Sequence, residues 1–497
     1  MKIYKNKYNI VKFLAINSNK TMFKQTNQFN LIPQNYRSFL WEWHEVIILE
    51  EIINELDLTE IIESYSNFSR WTTAYHPRML LKVLFYWYMN QTFSSRKLGK
   101  KLRSDLAFMY IAWNNQPNFR TINKFRKDKW WMLEWIFVQI VLKAKELWLI
   151  SFWTVSLDWT KIYANASKNK NNDLKWLDKK ISKLFDEADK IDKLEDKEYW
   201  DNEDEIPEEL KTKEGRDKKK KEIAEKKKKL EDKKEEVKKE IQAKKDVWIN
   251  QTRINDTDKD SRLMMMKRKD WWNWYNPQNT TEKQFIISTR VPNTSNDTNE
   301  LIPSLEKIKK QYWILPENIL ADKWYWTEAN YKFWKNKNIT TYIPHPKQSW
   351  ANLNEYKYNK IHDTYQDKSW NIFKFKQFVW SLHWRKRWRP KKDEILQEKD
   401  FEAKLYFTTL DNWKKKYLQI AKNLKKIFKE NDDRLYSKKW KEIYKKRSWD
   451  VENVFWNIKM NLKFERFNLR WFKGVQIEWN LISLVHNLQK IMKFKAI

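Results

Sequence analysis

The stretch Thr154-Val155-Ser156-Leu157-Asp158 decides how the rest of the chain is read. It is short, apolar and partly β-branched, as expected of a strand in the middle of a covered sheet, and it ends on an acid. Lys161-Ile162-Tyr163-Ala164-Asn165-Ala166 reads as its continuation or partner. Farther along, Gln284-Phe285-Ile286-Ile287-Ser288-Thr289 and Asn318-Ile319-Leu320-Ala321-Asp322 read as strands, the second again closing on an acid. Thr340-Thr341-Tyr342-Ile343-Pro344 follows a helix-like stretch from Glu328. Strands alternating with helical segments predict an α/β domain.

Outward from these strands the character changes. Upstream, residues 41–150 read as helices: Ile47, Ile48, Ile52, Ile53 and Leu56 recur at helical spacing, as do Leu133, Ile136, Phe137, Ile140, Val141 and Ala144. Residues 1–40 are polar and basic, an arm. Between the first strands and the later ones lies a Lys/Glu block, 168–247. Leu174, Leu177, Ile181, Leu184, Ala188 and Ile191 form a heptad seam, and Ile223, Leu230 and Val237 recur every seven residues. Asn202 to Pro207 breaks the pattern, so the block is expected to be a projecting helical hairpin. Its lysines read as a solvated surface, with a non-specific DNA contact as the alternative. The α/β unit is then expected over 151–167 and 248–490. Within it, about 350–445 is aromatic and basic and yields no clear element, while Val451, Val454, Phe455 and Ile458 mark a late helix.

Composition narrows the function. The chain has 497 residues, 41% hydrophobic and 33% charged, enough for several domains with a buried core. Lysine and arginine number 100 against 66 acids, a net charge of +34, which favours a polyanionic partner, nucleic acid first. No apolar run reaches the ~18 residues of a membrane helix, and the early run Phe13-Leu14-Ala15-Ile16 is too short for a secretory signal. Cysteine is absent, which removes disulfides, thiolate zinc sites and cysteine nucleophiles.

Two residue counts are abnormal: 3 Gly and 32 Trp. Ordinary usage is about 7% glycine, roughly what the two types together supply here. Trp324 and Trp326 follow a strand where a turn is due, and Trp271, Trp272 and Trp274 crowd a polar stretch ending in Tyr275-Asn276-Pro277. Turn positions with left-handed backbone favour Gly and penalise a Cβ. The expectation is that UGA codons meaning Gly in the source were translated as Trp. The protein as written is then expected to be poorly active, since Trp159 and Trp324 flank the two strand-end acids.

Those acids suit phosphodiester chemistry, in which carboxylates hold Mg²⁺ or Mn²⁺ at the reacting phosphate. Asp158 and Asp322 end strands, and Glu452 opens the late amphipathic helix. Histidines are scattered, and His345 and His486 read as structural.

The segment Ser156-Leu157-Asp158-Trp159-Thr160-Lys161-Ile162-Tyr163-Ala164-Asn165-Ala166-Ser167 resembles the first catalytic block of DDE transposases of bacterial insertion sequences, in the group with a helical domain ahead of the catalytic one. Where that family has Asp-Gly-Thr-Lys, Trp159 stands here. Leu320-Ala321-Asp322-Lys323-Trp324-Tyr325-Trp326 resembles the second block, with Gly expected at 324 and 326. Val451-Glu452-Asn453-Val454-Phe455-Trp456-Asn457-Ile458-Lys459 resembles the third, with Gly expected at 456. The likeness extends to Tyr75-His76-Pro77-Arg78, Ser94-Ser95-Arg96-Lys97-Leu98 and Thr121-Ile122-Asn123-Lys124-Phe125-Arg126, and to Arg466-Phe467-Asn468-Leu469-Arg470 and Glu478-Trp479-Asn480-Leu481.

The resemblance implies an RNase H-like catalytic domain, a mixed sheet flanked by helices, with a helical N-terminal DNA-binding domain. It implies Asp158, Asp322 and Glu452 as the catalytic, metal-binding triad for two Mg²⁺ (or Mn²⁺) ions. Tyr444, Arg447, Glu452 and Lys459 fill the family's Tyr-Arg-Glu-Lys signature, and Arg447 and Lys459 suit phosphate contacts. Six residues separate Glu452 from Lys459, as in the signature, but four separate Arg447 from Glu452, one more than usual. In the helical region Arg96, Lys97, Arg103, Lys124 and Arg126 are the candidates for reading the element's terminal DNA. The implied reaction is metal-dependent strand cleavage followed by strand transfer. Implied with it are DNA as partner (element ends and target), a homodimer when assembled on DNA, and a cytoplasmic, nucleoid-associated location. Two other readings are a catalytically inactive DNA-binding remnant and an RNase H-like nuclease outside transposition.

Overall fold

A computed structural model describes residues 36–66, 74–197, 212–246, 249, 251–265, 270–292, 294, 298–344, 356–379, 403–409, 415–420 and 437–495. Most of the basic arm and His345 lie outside them. Fifteen strands follow in chain order: β1 (Thr154–Trp159), β2 (Ile162–Tyr163), β3 (Asn171–Asp173), β4 (Arg253–Asn255), β5 (Arg262–Met265), β6 (Trp271–Tyr275), β7 (Gln278–Glu282), β8 (Phe285–Arg290), β9 (Asn318–Ala321), β10 (Thr340–Tyr342), β11 (Lys357–Asn359), β12 (Thr364–Gln366), β13 (Ile372–Val379), β14 (Ala403–Thr409) and β15 (Lys415–Ile420).

The deciding stretch is the central strand of a five-stranded mixed sheet, ordered β10-β9-β1-β7-β8. β1 runs parallel to β9 and antiparallel to β7, and β10 runs parallel to β9. Val155, Ser156 and Leu157 are buried, as are Ile319, Leu320 and Ala321, which is why both segments read as uninterrupted apolar runs.

The helices upstream, including Glu45–Asn54, Pro77–Met89 and Trp130–Glu146, share one hydrophobic core with this sheet. The boundary near 150 is therefore a change of secondary structure and not a gap in packing. The bridge between the two is the last helix, Trp471–Lys495, buried on nearly all sides from Val475 to Met492, polar Glu478, Asn480, Ser483, His486 and Asn487 included. It packs on β8 and on the helices just named. An edge strand leaves backbone groups unpaired, and this helix answers them with side chains. The Asn487 amide accepts from Ile286 N–H (2.9 Å) and donates to Ile286 C=O (2.7 Å), and Gln476 accepts from Val291 N–H (2.8 Å). His486 is buried, with its ring nitrogens on Asn457 and the Gln284 carbonyl, and burial lowers its pKa to about 4. It is structural, as its sequence context suggested.

The Lys/Glu block forms two long helices, Leu174–Lys197 and Lys213–Asp246, rising from the β3–β4 ribbon. Leu177, Val237 and Ile241 pack with Ile254 at their base. Ion pairs such as Lys220–Asp192 and Lys234–Asp178, both 2.7 Å, line the seam. They are exposed and contribute little, so the apolar seam holds the pair together. The break at Asn202–Pro207 lies outside the described residues.

The aromatic, basic stretch that gave no clear element in sequence contains a second sheet, an antiparallel run in the order β11-β12-β13-β14-β15. Its small core is Phe373 and Tyr406, flanked by Tyr356 and Tyr365.

Backbone geometry bears on the tryptophan excess. Among the described residues, thirteen non-glycine residues have positive φ, and five of them are Trp: 113, 148, 313, 370 and 471. Trp113 and Trp148 sit just past helix ends in the paired hydrogen-bond pattern that glycine ordinarily closes. Trp113 N–H donates to Tyr110 C=O and Asn114 N–H to Met109 C=O; Trp148 N–H donates to Lys145 C=O and Leu149 N–H to Ala144 C=O. Trp313 ends the helix Leu301–Tyr312 at φ 59°. Trp148 is 91% and Trp370 79% exposed, so these indoles gain little from packing. The three glycines, Gly99, Gly215 and Gly474, all lie within helices, where glycine is unfavourable. The usual allocation of the two residue types is inverted.

Candidate active site

The register of β1 and β9 builds the site. Leu157 lies opposite Ala321 on parallel neighbours, so the next residues, Asp158 and Asp322, emerge side by side at the carboxyl ends of adjacent strands. Neighbouring strands lie about 4.8 Å apart, so the two acids share one end of the sheet and the Asp322 charge acts on Asp158. Each is steadied by the following backbone amide: Trp159 N–H donates to Asp158 (2.9 Å) and Lys323 N–H to Asp322 (2.6 Å). Burial pushes the Asp158 carboxyl up from its ordinary value, against the pull of Arg447, and the nearby charge of Asp322 adds to the rise.

The third acid arrives on the helical run that follows Lys438–Arg447. Residues Ser448–Glu452 form a π-helical turn, in which residues five apart are hydrogen-bonded neighbours. Arg447 and Glu452 are five apart, and the turn stacks them: Arg447 Nη2 lies 3.8 Å from Glu452 Oε1. The residue that lengthened the signature spacing is thus absorbed by a π turn. Arg447 Nη1 also donates to Asp158 Oδ2 at 2.6 Å, so one guanidinium joins the first and third acids. Tyr444, one turn earlier, lies under the guanidinium at 5.8 Å and stacks on Trp440. Arg447 thus contacts Asp158 and Glu452, Tyr444 lies beneath it, and the charge of Asp322 acts on it. Lys459 follows on the same helical run, half-buried, and burial lowers its pKa.

Asp450, which sequence reasoning missed, anchors this turn. It is buried and accepts from Ser156 Oγ at 3.0 Å, two residues before Asp158 on the same face of β1. Burial raises its pKa to about 6. A raised acid pKa disfavours the folded state once it ionises, so burial of Asp450 costs the folded chain stability as pH rises toward about 6, while the Ser156 O–H favours the ionised form.

The donor set is all carboxylate oxygen, the chemistry that Mg²⁺ or Mn²⁺ prefers. Among the described residues, no three acids or histidines stand close enough to share an ion. Between Asp158 and Glu452 the positive charge is supplied by Arg447. The residues fit the metals in kind, with the guanidinium in the gap between two of them.

Comparison with known families bears on this arrangement. Residues 34–128 match the family described as Transposase domain (DUF772), and residues 410–492 match the family described as Transposase DDE domain. Two separate segments of the chain are thus similar to transposase domains. No curated protein and no solved structure matches it. The DDE match contains Tyr444, Arg447, Glu452 and Lys459, while Asp158 and Asp322 precede it. A DDE domain implies an RNase H-like fold and divalent metal use. The mixed sheet with acids at adjacent strand ends agrees with the fold. No helix among the described residues is long and apolar enough to cross a membrane.

The DUF772 match contains the basic helices Ser95–Ser104 and Phe119–Asp128, which pack on each other. Arg96, Lys97, Arg103 and Lys124 are exposed on them, joined by Lys100, Arg120 and Lys127. Arg126 is a correction to the expected DNA-facing set. It is 4% exposed, donates to Tyr88 and Asn123, and pairs with Glu478 at 3.2 Å. Glu478, fully buried, also receives Tyr88 O–H (2.9 Å) and the backbone N–H groups of Asn468 (2.6 Å) and Leu469 (2.8 Å). The guanidinium therefore ties the DUF772-matched helices to the last helix. Truncating one partner of a buried ion pair strands the other, so Arg126→Ala is expected to lose about 3–5 kcal/mol in urea denaturation. Lys124→Ala, on an exposed face, should lose less than about 0.5 kcal/mol. Equal losses would remove the assigned difference.

Proposed function

We propose that this protein is the transposase of a bacterial insertion sequence, cutting DNA at the element ends and joining it to a target, with Asp158, Asp322 and Glu452 as its catalytic acids. The observation that carries this reading is the parallel register that sets Asp158 beside Asp322, with Glu452 linked to Asp158 through one arginine. The three acids would hold two Mg²⁺ or Mn²⁺ ions, which supply activation of the attacking oxygen and stabilisation of the leaving one. The chain's own groups do the rest. Arg447 and Lys459 grip backbone phosphates beside the cut, and Tyr444 sets the height of the arginine. Arg96, Lys97 and Lys124 hold the terminal DNA against the two basic helices. A homodimer assembled on the element ends, working in the cytoplasm on nucleoid DNA, belongs to the same reading. The test is Mg²⁺-dependent nicking of DNA carrying the gene's flanks, with Asp158→Ala as control. Equal nicking by that variant overturns the assignment.

We further infer that many tryptophans stand where the source organism reads UGA as Gly. The support is the left-handed backbone at Trp113, Trp148, Trp313, Trp370 and Trp471, together with their exposure. Trp479 differs: it is buried, and its indole N–H donates to Asn279 at 2.8 Å. The reading therefore sorts the codons, UGA at the five and UGG at 479.

A further inference from the structure

We propose that Arg447 is a resident counter-ion that keeps the acidic site closed and couples metal loading to DNA binding. The inference rests on the triad reading above and deepens it. One guanidinium spans Asp158 at 2.6 Å and Glu452 at 3.8 Å, with Tyr444 beneath it and Asp322 adding to the field that holds it charged. The π turn Ser448–Glu452 is what sets Glu452 next to Arg447, so the bridge is built into the backbone.

Charge balance makes this arrangement exclusive. Three carboxylates with one guanidinium carry a net negative charge, tolerable in a half-buried cleft. Two divalent ions on the same carboxylates would place four positive charges beside a fifth, and like charges repel strongly in a low-dielectric site. Metal loading therefore displaces Arg447. Its donors, five N–H groups in a planar fork, then need an anion, and a backbone phosphate matches that fork. The same guanidinium cannot bridge the acids and grip a phosphate at once. DNA that draws Arg447 away opens the acids to metal, and metal that expels Arg447 readies it for DNA. Binding linkage requires the two effects to be equal in size.

The experiment is Mn²⁺ binding to the full chain, followed by the electron paramagnetic resonance of free Mn²⁺, with and without duplex DNA from the gene's flanks. In the unsubstituted protein, DNA is expected to tighten Mn²⁺ binding roughly tenfold, within the usual range of coupling between sites. Arg447→Gln removes the charge and keeps a polar amide. Without DNA it should bind Mn²⁺ roughly tenfold tighter than the unsubstituted chain, and DNA should then add less than about twofold. Unchanged or weaker Mn²⁺ binding by Arg447→Gln overturns the counter-ion role. Should that variant not fold, the unsubstituted chain decides: an affinity for Mn²⁺ indifferent to DNA overturns the coupling. Asp158→Asn separates this from the reading beneath it. If Asp158→Asn binds Mn²⁺ as the unsubstituted chain does, the triad itself fails. If it loses Mn²⁺ while Arg447→Gln gains nothing, the triad stands and only the latch is lost.

Discussion

Asp158→Asn and Asp322→Asn are each expected to reduce Mg²⁺-dependent DNA nicking by on the order of 10³-fold, because a metal bound by the wrong ligand set forfeits several kcal/mol of transition-state stabilisation. The stability of the fold should change far less. Burial raises the Asp158 pKa, so the ionised carboxylate is disfavoured in the folded chain relative to the unfolded one. That penalty is absent at low pH and sets in as pH rises through the folded pKa. An amide carries no such penalty but gives up the Arg447 ion pair, and the two effects oppose, so Asp158→Asn should melt close to the temperature of the unsubstituted chain near pH 8. Chemistry lost with stability kept distinguishes a ligand from a structural acid. A variant that loses both in proportion would make Asp158 a structural residue.

The second large effect concerns glycine. Substituting Gly at 113, 148, 313, 370 and 471 together is expected to stabilise the protein by roughly 3–5 kcal/mol, since about 1–2 kcal/mol of left-handed strain is relieved at each position and about 0.4–1 kcal/mol is given back to the freer unfolded chain. These sites are far apart in sequence and lie in separate turns, so the gains should nearly add. Gly at 479 should do the reverse, since it opens a cavity and leaves Asn279 without the indole N–H, a loss of about 3–5 kcal/mol. Urea midpoints of the two variants against the chain as written give the comparison. A five-site Gly variant no more stable than its parent would separate the tryptophan excess from any turn requirement.

Much of the site was legible in the sequence because its strands are buried on both faces. Val155–Leu157 and Ile319–Ala321 read as apolar runs for that reason, and an acid closing each run is conspicuous. The two long helices of the Lys/Glu block were legible from their heptads. What escaped had identifiable physical causes. The spacing between Arg447 and Glu452 looked like a flaw in the signature; it is the trace of a π turn, which no hydrophobic period announces. Arg126 was grouped with Lys124 by charge alone. On the helix Phe119–Asp128 they are two residues apart and face opposite ways, and buried Ile122 and Phe125 mark the side on which Arg126 lies. The second sheet did leave a signal, the alternation Phe373-Lys374-Phe375-Lys376, submerged in a basic stretch whose apolar face covers only a small core.

The central claim is that acids from three separate parts of the chain meet around the same ions. Iron-directed cleavage of the protein tests it without requiring DNA or turnover: Fe²⁺ bound in place of Mg²⁺, with ascorbate and peroxide, cuts the backbone only near the ion. Cuts are expected to cluster at 158, 322 and 452, all suppressed by excess Mg²⁺ and by Asp158→Asn. Cuts at one of these positions without the other two, or a pattern indifferent to Mg²⁺, would contradict it.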